Sequence, residues 1–247
     1  IVLCLVGSEM CIRDRVTSTL GSIRAMQKIQ KSNGESGCHR YIISNNQTAI
    51  NILEVFTMFK ISGWKKNTFD IIPLFETISD LDIAVEIMDK IYSNDAYREH
   101  LSNRNNEQTI MLGFSDGTKD GGYLTANWKI LTAKEKLTRI SRKHKIKVKF
   151  FDGRGGPPAR GGGNTHQFYS SLGSFIESDD IQVTIQGQTI SSNFGTLDSC
   201  KYNLEQLISS AIKNKINNQN DTFGRENRKV IEPVSYTHLT LPTNSRV

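Results

Sequence analysis

The residues best suited to chemistry run from Phe150 to Gly163, as Phe-Phe-Asp-Gly-Arg-Gly-Gly-Pro-Pro-Ala-Arg-Gly-Gly-Gly, with six glycines, two prolines and two arginines. Glycine lets an anion approach bare backbone N–H groups, and proline stiffens the turn. Arg154 and Arg160 each present a planar fork to phosphate or carboxylate oxygens. Flanking Gly155 and Gly156, they describe a cradle for more than one anionic group. A plainer reading is an RNA-binding Arg-Gly-Gly tract of the disordered kind, with the basic Lys134–Lys147 region as a second contact. Such tracts are long and of low complexity, whereas this segment is short and lies between two patterned elements, Ile146–Phe151 and Asn164–Tyr169.

Cradles of this sort need rigid elements to hold them. From Tyr41 onward short apolar runs recur: Tyr41–Ser44, Phe69–Phe75, Thr109–Phe114, Ile146–Phe151 and Ile181–Gln186. Each is followed by a helical pattern. Ile52, Val55, Phe56 and Phe59 share one face, as do Leu81, Val85, Met88 and Ile91. Ala126, Ile130, Ala133, Leu137 and Ile140 form a third stripe after Gly122, and Leu204, Leu207, Ile208, Ala211 and Ile212 a fourth. These stripes are expected in the core. Strand followed by helix, repeated, predicts an α/β fold with parallel strands. Five units, against the eight of a closed barrel, predict part of a (β/α)₈-type barrel with surrounding helices.

In such folds the reacting groups project from the C-terminal ends of strands. Just past those ends stand Glu76, Asp116 with Lys119, Asp152 with Arg154 and Arg160, and Gln186. Glu76 and Asp116 can supply two hard oxygen ligands to Mg²⁺ or Mn²⁺ and leave positions open for substrate and water. Each has a plainer reading, Glu76 as a first-turn acid of the following helix and Asp116 as a turn residue. Lys119 lies three residues after Asp116, close enough to meet an anion on the same metal. No nucleotide-binding phosphate loop, serine-hydrolase elbow or zinc-protease motif is present.

Length and composition exclude less. The 247 residues can bury a substantial core, and 37% hydrophobic with 23% charged residues is an ordinary globular balance. A net charge of +6 suits small multiply charged anions as well as nucleic acid. No apolar run reaches the roughly 20 residues of a membrane span, and Ile1–Val6 is too short for a signal-peptide core. Cys4, Cys11, Cys38 and Cys200 lack metal or disulfide spacing, which fits a reducing cytoplasm. Residues 1–15 and 234–247 share no pattern with the rest and resemble translated read-through at gene-fragment ends. Residues 16–216 are expected to form the barrel segment and 217–233 a polar, loosely ordered stretch.

Four segments together resemble the phosphoenolpyruvate carboxylase family: Pro73-Leu-Phe-Glu-Thr, Met111-Leu-Gly-Phe-Ser-Asp-Gly-Thr-Lys-Asp-Gly-Gly, the Phe151–Gly163 motif, and Val183-Thr-Ile-Gln-Gly-Gln followed by Phe194-Gly195. The resemblance implies carboxylation of phosphoenolpyruvate by bicarbonate, through carboxyphosphate and a metal-stabilised enolate. The products are oxaloacetate and inorganic phosphate, an anaplerotic supply to the tricarboxylic acid cycle. It further implies a cytoplasmic enzyme, typically a homotetramer, with no nucleic-acid or membrane partner. Residue by residue, Glu76 and Asp116 match the family's divalent-metal ligands and Lys119 an active-site lysine. Arg154 and Arg160 match arginines that neutralise the transferring phosphoryl group. Gly155, Gly156 and Gln186 fall in substrate-binding positions. Asp152 departs from the pattern, since the common motif has histidine there, and an acid cannot act as an imidazolium. A further catalytic histidine and other arginines of the family belong to segments outside this sequence, so the 247-residue chain alone is expected to be inactive and unstable.

Overall fold

Short β-prone runs separated by amphipathic helices can hydrogen-bond side by side only if each helix crosses over the sheet, which makes neighbouring strands parallel. A computed structural model of the chain shows this arrangement and describes residues 2–64, 66–154, 156–157, 161–173, 175–216 and 225–240. The order is α1 (Val2–Asn33), β1 (Arg40–Ile43), α2 (Ala49–Ile61), β2 (Asp70–Phe75), α3 (Ile78–Tyr92), α4 (Asp95–Ser102) and β3 (Glu107–Gly113). Then come α5 (Ser115–Lys143), β4 (Lys147–Gly153), α6 (Thr165–Ser171), β5 (Ile181–Val183), α7 (Gln188–Phe194), α8 (Leu197–Ile216) and α9 (Arg225–Thr240). The strands form one parallel sheet in sequence order, β1-β2-β3-β4-β5. That is the α/β, partial-barrel class expected from the strand-helix rhythm.

Strand alternation sorts the side chains onto two faces. Ile71, Phe75, Ile110, Leu112, Val148 and Phe150 point into the helix layer and form the core with Phe56, Phe59, Leu81, Met88, Ile130 and Leu137. The opposite face is concave. Arg40 on β1 donates to the Gln182 side chain on β5 at 2.9 Å, although these are the two edge strands. In a flat sheet they would lie roughly 19 Å apart, beyond the combined reach of the two side chains. The sheet therefore curves as a barrel wall does, and the ends of its strands face a shared space.

Three expectations change. The last apolar stripe is not core: Leu204, Ile208 and Ile212 on α8 are exposed, and only Leu207 packs against the core cluster. β5 ends at Val183 rather than Gln186, and farther on Gly187, with a φ of 61°, turns the chain into α7. From residue 225 the polar stretch is helical instead of loose, since α9 docks on α5 through Arg228 to Glu135 and through Thr125 Oγ1 donating to the Ser235 carbonyl at 2.8 Å. At the other end α1 runs unbroken past residue 15. Among the described residues no helix is long and apolar enough to cross a membrane.

Candidate active site

Glu76 follows directly on β2. Capping of α3 is done by other groups: Thr77 Oγ1 accepts from Asp80 N at 3.1 Å, while Asp80 Oδ2 accepts from the Thr77 and Glu76 backbone N–H at 3.1 and 3.2 Å. This leaves the Glu76 carboxylate free of the capping role that its position suggests. The β3–α5 junction passes close against it. A Cβ on Gly113 would sit 3.1 Å from Glu76 Cα, and one on Gly117 would sit 3.3 Å from the Glu76 carbonyl oxygen. Asp120 Oδ2 then accepts from Ile78 N at 3.2 Å, tying the start of α3 to the start of α5.

That tie sets Asp116 beside Glu76. Asp116 lies in the first helical turn of α5, not in the loop expected of a turn residue, and α5 is kinked where Gly122 adopts φ 78°. Burial pushes the Glu76 pKa up, and the Asp116 and Asp80 charges push it the same way. Two like charges held together at a half-open surface are what a hard divalent cation would relieve, so the donor set fits such an ion. Among the described residues no third His, Cys, Asp or Glu joins them in a metal-binding group. Lys119 Nζ lies 2.8 Å from Asp116 Oδ1 in an exposed pair, at the same rim.

The glycine loop meets the same edge from the β4 side. Gly161, at φ 75°, abuts the α5 start so closely that a Cβ would fall 2.7 Å from Phe114 Cβ and 2.8 Å from Thr118 Oγ1. Gly162 has no room either, since the Gly156 carbonyl oxygen occupies the space its Cβ would need. Tyr123 OH donates to the Gly162 carbonyl at 3.2 Å, and Gly156 N donates to the Arg154 carbonyl at 2.9 Å. The described parts of the loop, residues 156–157 and 161–163, thus fold against each other and against α5. Gly155 and Arg160 lie outside the described residues.

Arg154 is buried rather than standing out from the loop. It is only 5% exposed and stacks on Phe168 with Cζ 4.3 Å from the ring centre. Its Nη2 and Nη1 donate to the Gly162 and Gly163 carbonyls at 3.2 and 3.3 Å, while among the described residues its buried Nε has no partner. Gln186 is exposed between β5 and α7, and no hydrogen bond among the described residues joins it to the acids or to Arg154.

Asp152 points into the helix layer because it shares the alternation of Val148 and Phe150. It is 1% exposed, with Lys134 Nζ 2.7 Å from Oδ1 and 2.8 Å from Oδ2, and Tyr169 OH donating to Oδ2 at 2.8 Å. Lys134 therefore does not belong to a basic surface. Burial draws its pKa down against the pull of Asp152. Other cations of that region are paired as well, Arg142 with Glu177, Lys143 with Asp89, and Lys147 with Asp179, and the His144 ring also meets Asp89. Lys134 and Tyr169 were missed in the sequence. The available signal was a lysine next to Ala133 on the buried face of an amphipathic helix.

The family model for phosphoenolpyruvate carboxylase matches residues 4–240. The chain is 37% identical over 218 residues to the phosphoenolpyruvate carboxylase of Nitrosomonas europaea, covering 86% of this chain and 23% of that relative. It is 31% identical over 214 residues to that of Gloeobacter violaceus, covering 85% and 23%. It thus spans about a quarter of the length of these curated relatives, and the match takes in the Glu76, Asp116 and glycine-loop segments. The chain belongs to the phosphoenolpyruvate carboxylase family.

Proposed function

We propose that this chain supplies the metal and phosphate side of a phosphoenolpyruvate carboxylase active site, acting within a longer cytoplasmic protein that assembles as a homotetramer. The observation that carries the reading is the meeting of Glu76, Asp116 and the glycine loop at one rim of a curved parallel sheet, where the loop packs on the first turn that holds Asp116. Family membership narrows the chemistry to phosphoenolpyruvate and bicarbonate.

In this reading Glu76 and Asp116 hold Mg²⁺ or Mn²⁺, which when bound supplies Lewis-acid stabilisation of enolate charge. Lys119 moves from Asp116 to the anionic substrate once the carboxylate is engaged. Arg154, with an unpartnered buried Nε, and Arg160 neutralise the phosphoryl group as bicarbonate oxygen attacks phosphorus and the enolate leaves. Carbon dioxide released from carboxyphosphate adds to the enolate, giving oxaloacetate and inorganic phosphate. Gly156 and Gln186 shape the surrounding wall. Asp152 does not touch substrate, because it faces the helix layer.

Bicarbonate-dependent release of oxaloacetate by the full-length protein, followed with a coupled reductase, tests the assignment. Oxaloacetate and phosphate in equal amounts support it. Phosphoenolpyruvate cleavage to pyruvate without carboxylation overturns it. The RNA-binding reading is disfavoured by its second contact, since in the Lys134–Lys147 region Lys134 is buried on Asp152 and Arg142, Lys143 and Lys147 are each paired with an acid.

A further inference from the structure

β4 lines up Phe150, Asp152 and, just past its end, Arg154 at alternate positions. Lys134 reaches this row from α5, with Nζ 5.1 Å from the Phe150 ring, 5.4 Å from Phe168 and 5.8 Å from Tyr169. Tyr169 and Phe168 come from α6, their rings 5.1 Å apart and edge-on. The Phe168 ring thus lies against two cations, Lys134 and Arg154. α6 is a short helix whose described hydrogen bonds at its start come from its cap, where Asn164 Oδ1 accepts from Gln167 N at 2.9 Å. Its side-chain tie to the sheet is Tyr169 to Asp152.

A fully buried ion pair is a poor stabiliser, because desolvating both charges offsets most of their attraction and an apolar pair of similar volume would serve as well. What the pair supplies is direction. Asp152 accepts from two elements at once, fixing α5 and α6 relative to the end of β4, and that fixes the ring on which Arg154 lies. We infer that Lys134, Asp152 and Tyr169 are positioning residues for Arg154, holding α6 so that Phe168 presents the guanidinium to the phosphate of the substrate. Asp152 thus acts through Tyr169 and Phe168 on a neighbour two residues along the chain, just past the end of the strand. The inference rests on the carboxylase reading for the identity of the anion, but not for the geometry.

The test uses the full-length protein and Tyr169→Phe, which keeps the ring and removes one hydroxyl. The expected result is a KM for phosphoenolpyruvate raised about fivefold, calorimetric affinity for inorganic phosphate weakened by a similar factor, and both kcat and the KM for bicarbonate within twofold of the parent. A merely structural role would lower Tm and shift both KM values together, or change nothing, and either result overturns the inference. Should Tyr169→Phe fail to fold, Lys134→Gln combined with Asp152→Asn, which removes both buried charges together, carries the same expectation. If the parent protein makes no oxaloacetate, the carboxylase reading falls, and the phosphate affinities of parent and variant still decide this one.

Discussion

The two rims of the curved sheet are both crowded with charge, and they use it differently. At the N-terminal ends of the strands acids meet cations: Arg104 bridges Asp70 and Glu35, and Lys149 lies between Glu107 and Asp180. At the C-terminal ends Glu76 and Asp116 raise each other's cost as like charges, Glu76 has no ion pair among the described residues, and Asp116 has the exposed Lys119. Bridged pairs hold strands in place, whereas like charges brought together store a demand that a bound cation can meet. The difference accords with the proposed site, since catalysis in parallel β/α folds sits beyond the strand C-termini.

That contrast can be broken from either side. In the full-length enzyme Glu76→Gln or Asp116→Asn should lower kcat at least a hundredfold, about 3 kcal/mol of barrier, while Tm stays within a degree or two. Steady-state assays across a Mn²⁺ titration check this, and a large Tm loss with intact kcat would reverse the roles of the rims.

The N-terminal side answers to pH. His100 is 2% exposed among Phe56, Phe69 and Tyr97, and burial pulls its pKa down to about 4, with Asp70 opposing and Lys60 and Arg104 assisting. The unfolded chain binds the proton below about 6.5 and the folded chain does not until about 4, so stability is full above the first value and falls as pH drops toward the second. The loss is on the order of 3 kcal/mol. Denaturant melts of the parent and of His100→Phe between these limits should diverge, and parallel curves would refute the assignment.

Arg104→Ala leaves Asp70 and Glu35 without their shared partner and should cost about 2 kcal/mol of stability, read from the shift in denaturation midpoint, with KM and kcat unchanged. Smallest of all is the stability effect of Lys119→Ala. Its pair with Asp116, at 2.8 Å, is nearly as short as the buried Lys134 pair at 2.7 Å, but it is exposed, so unfolding free energy should move by less than about 1 kcal/mol even as activity drops. Equal stability losses from Arg104→Ala and Lys119→Ala would erase the distinction between the rims.

Much of this was legible from local pattern. Period-two and period-3.6 apolar spacing located the five strands and three of the four helix stripes, because burial on one face of an element is written into neighbouring residues. The glycines of the cradle marked a close backbone approach, and Gly161 and Gly162 turn out to have no room for a side chain. The stripe on α8 misled, since an apolar face looks the same in sequence whether or not anything covers it. The burial of Arg154 left no local signal, since Phe168 and two carbonyls enclose it from farther along the chain.

The sequence by itself determined the elements, their parallel order and the strand ends at which acids and arginines would appear, all properties set by residues within a turn or two of one another. Only the tertiary structure decided that Arg40 reaches Gln182 across a curved sheet, that Asp152 turns away from the rim to Lys134 and Tyr169, and that Asp116 loads its charge onto Glu76. Those pairings join residues far apart in the chain, and their energies depend on burial and direction, which exist only once the sheet has curved and the helices have packed against it.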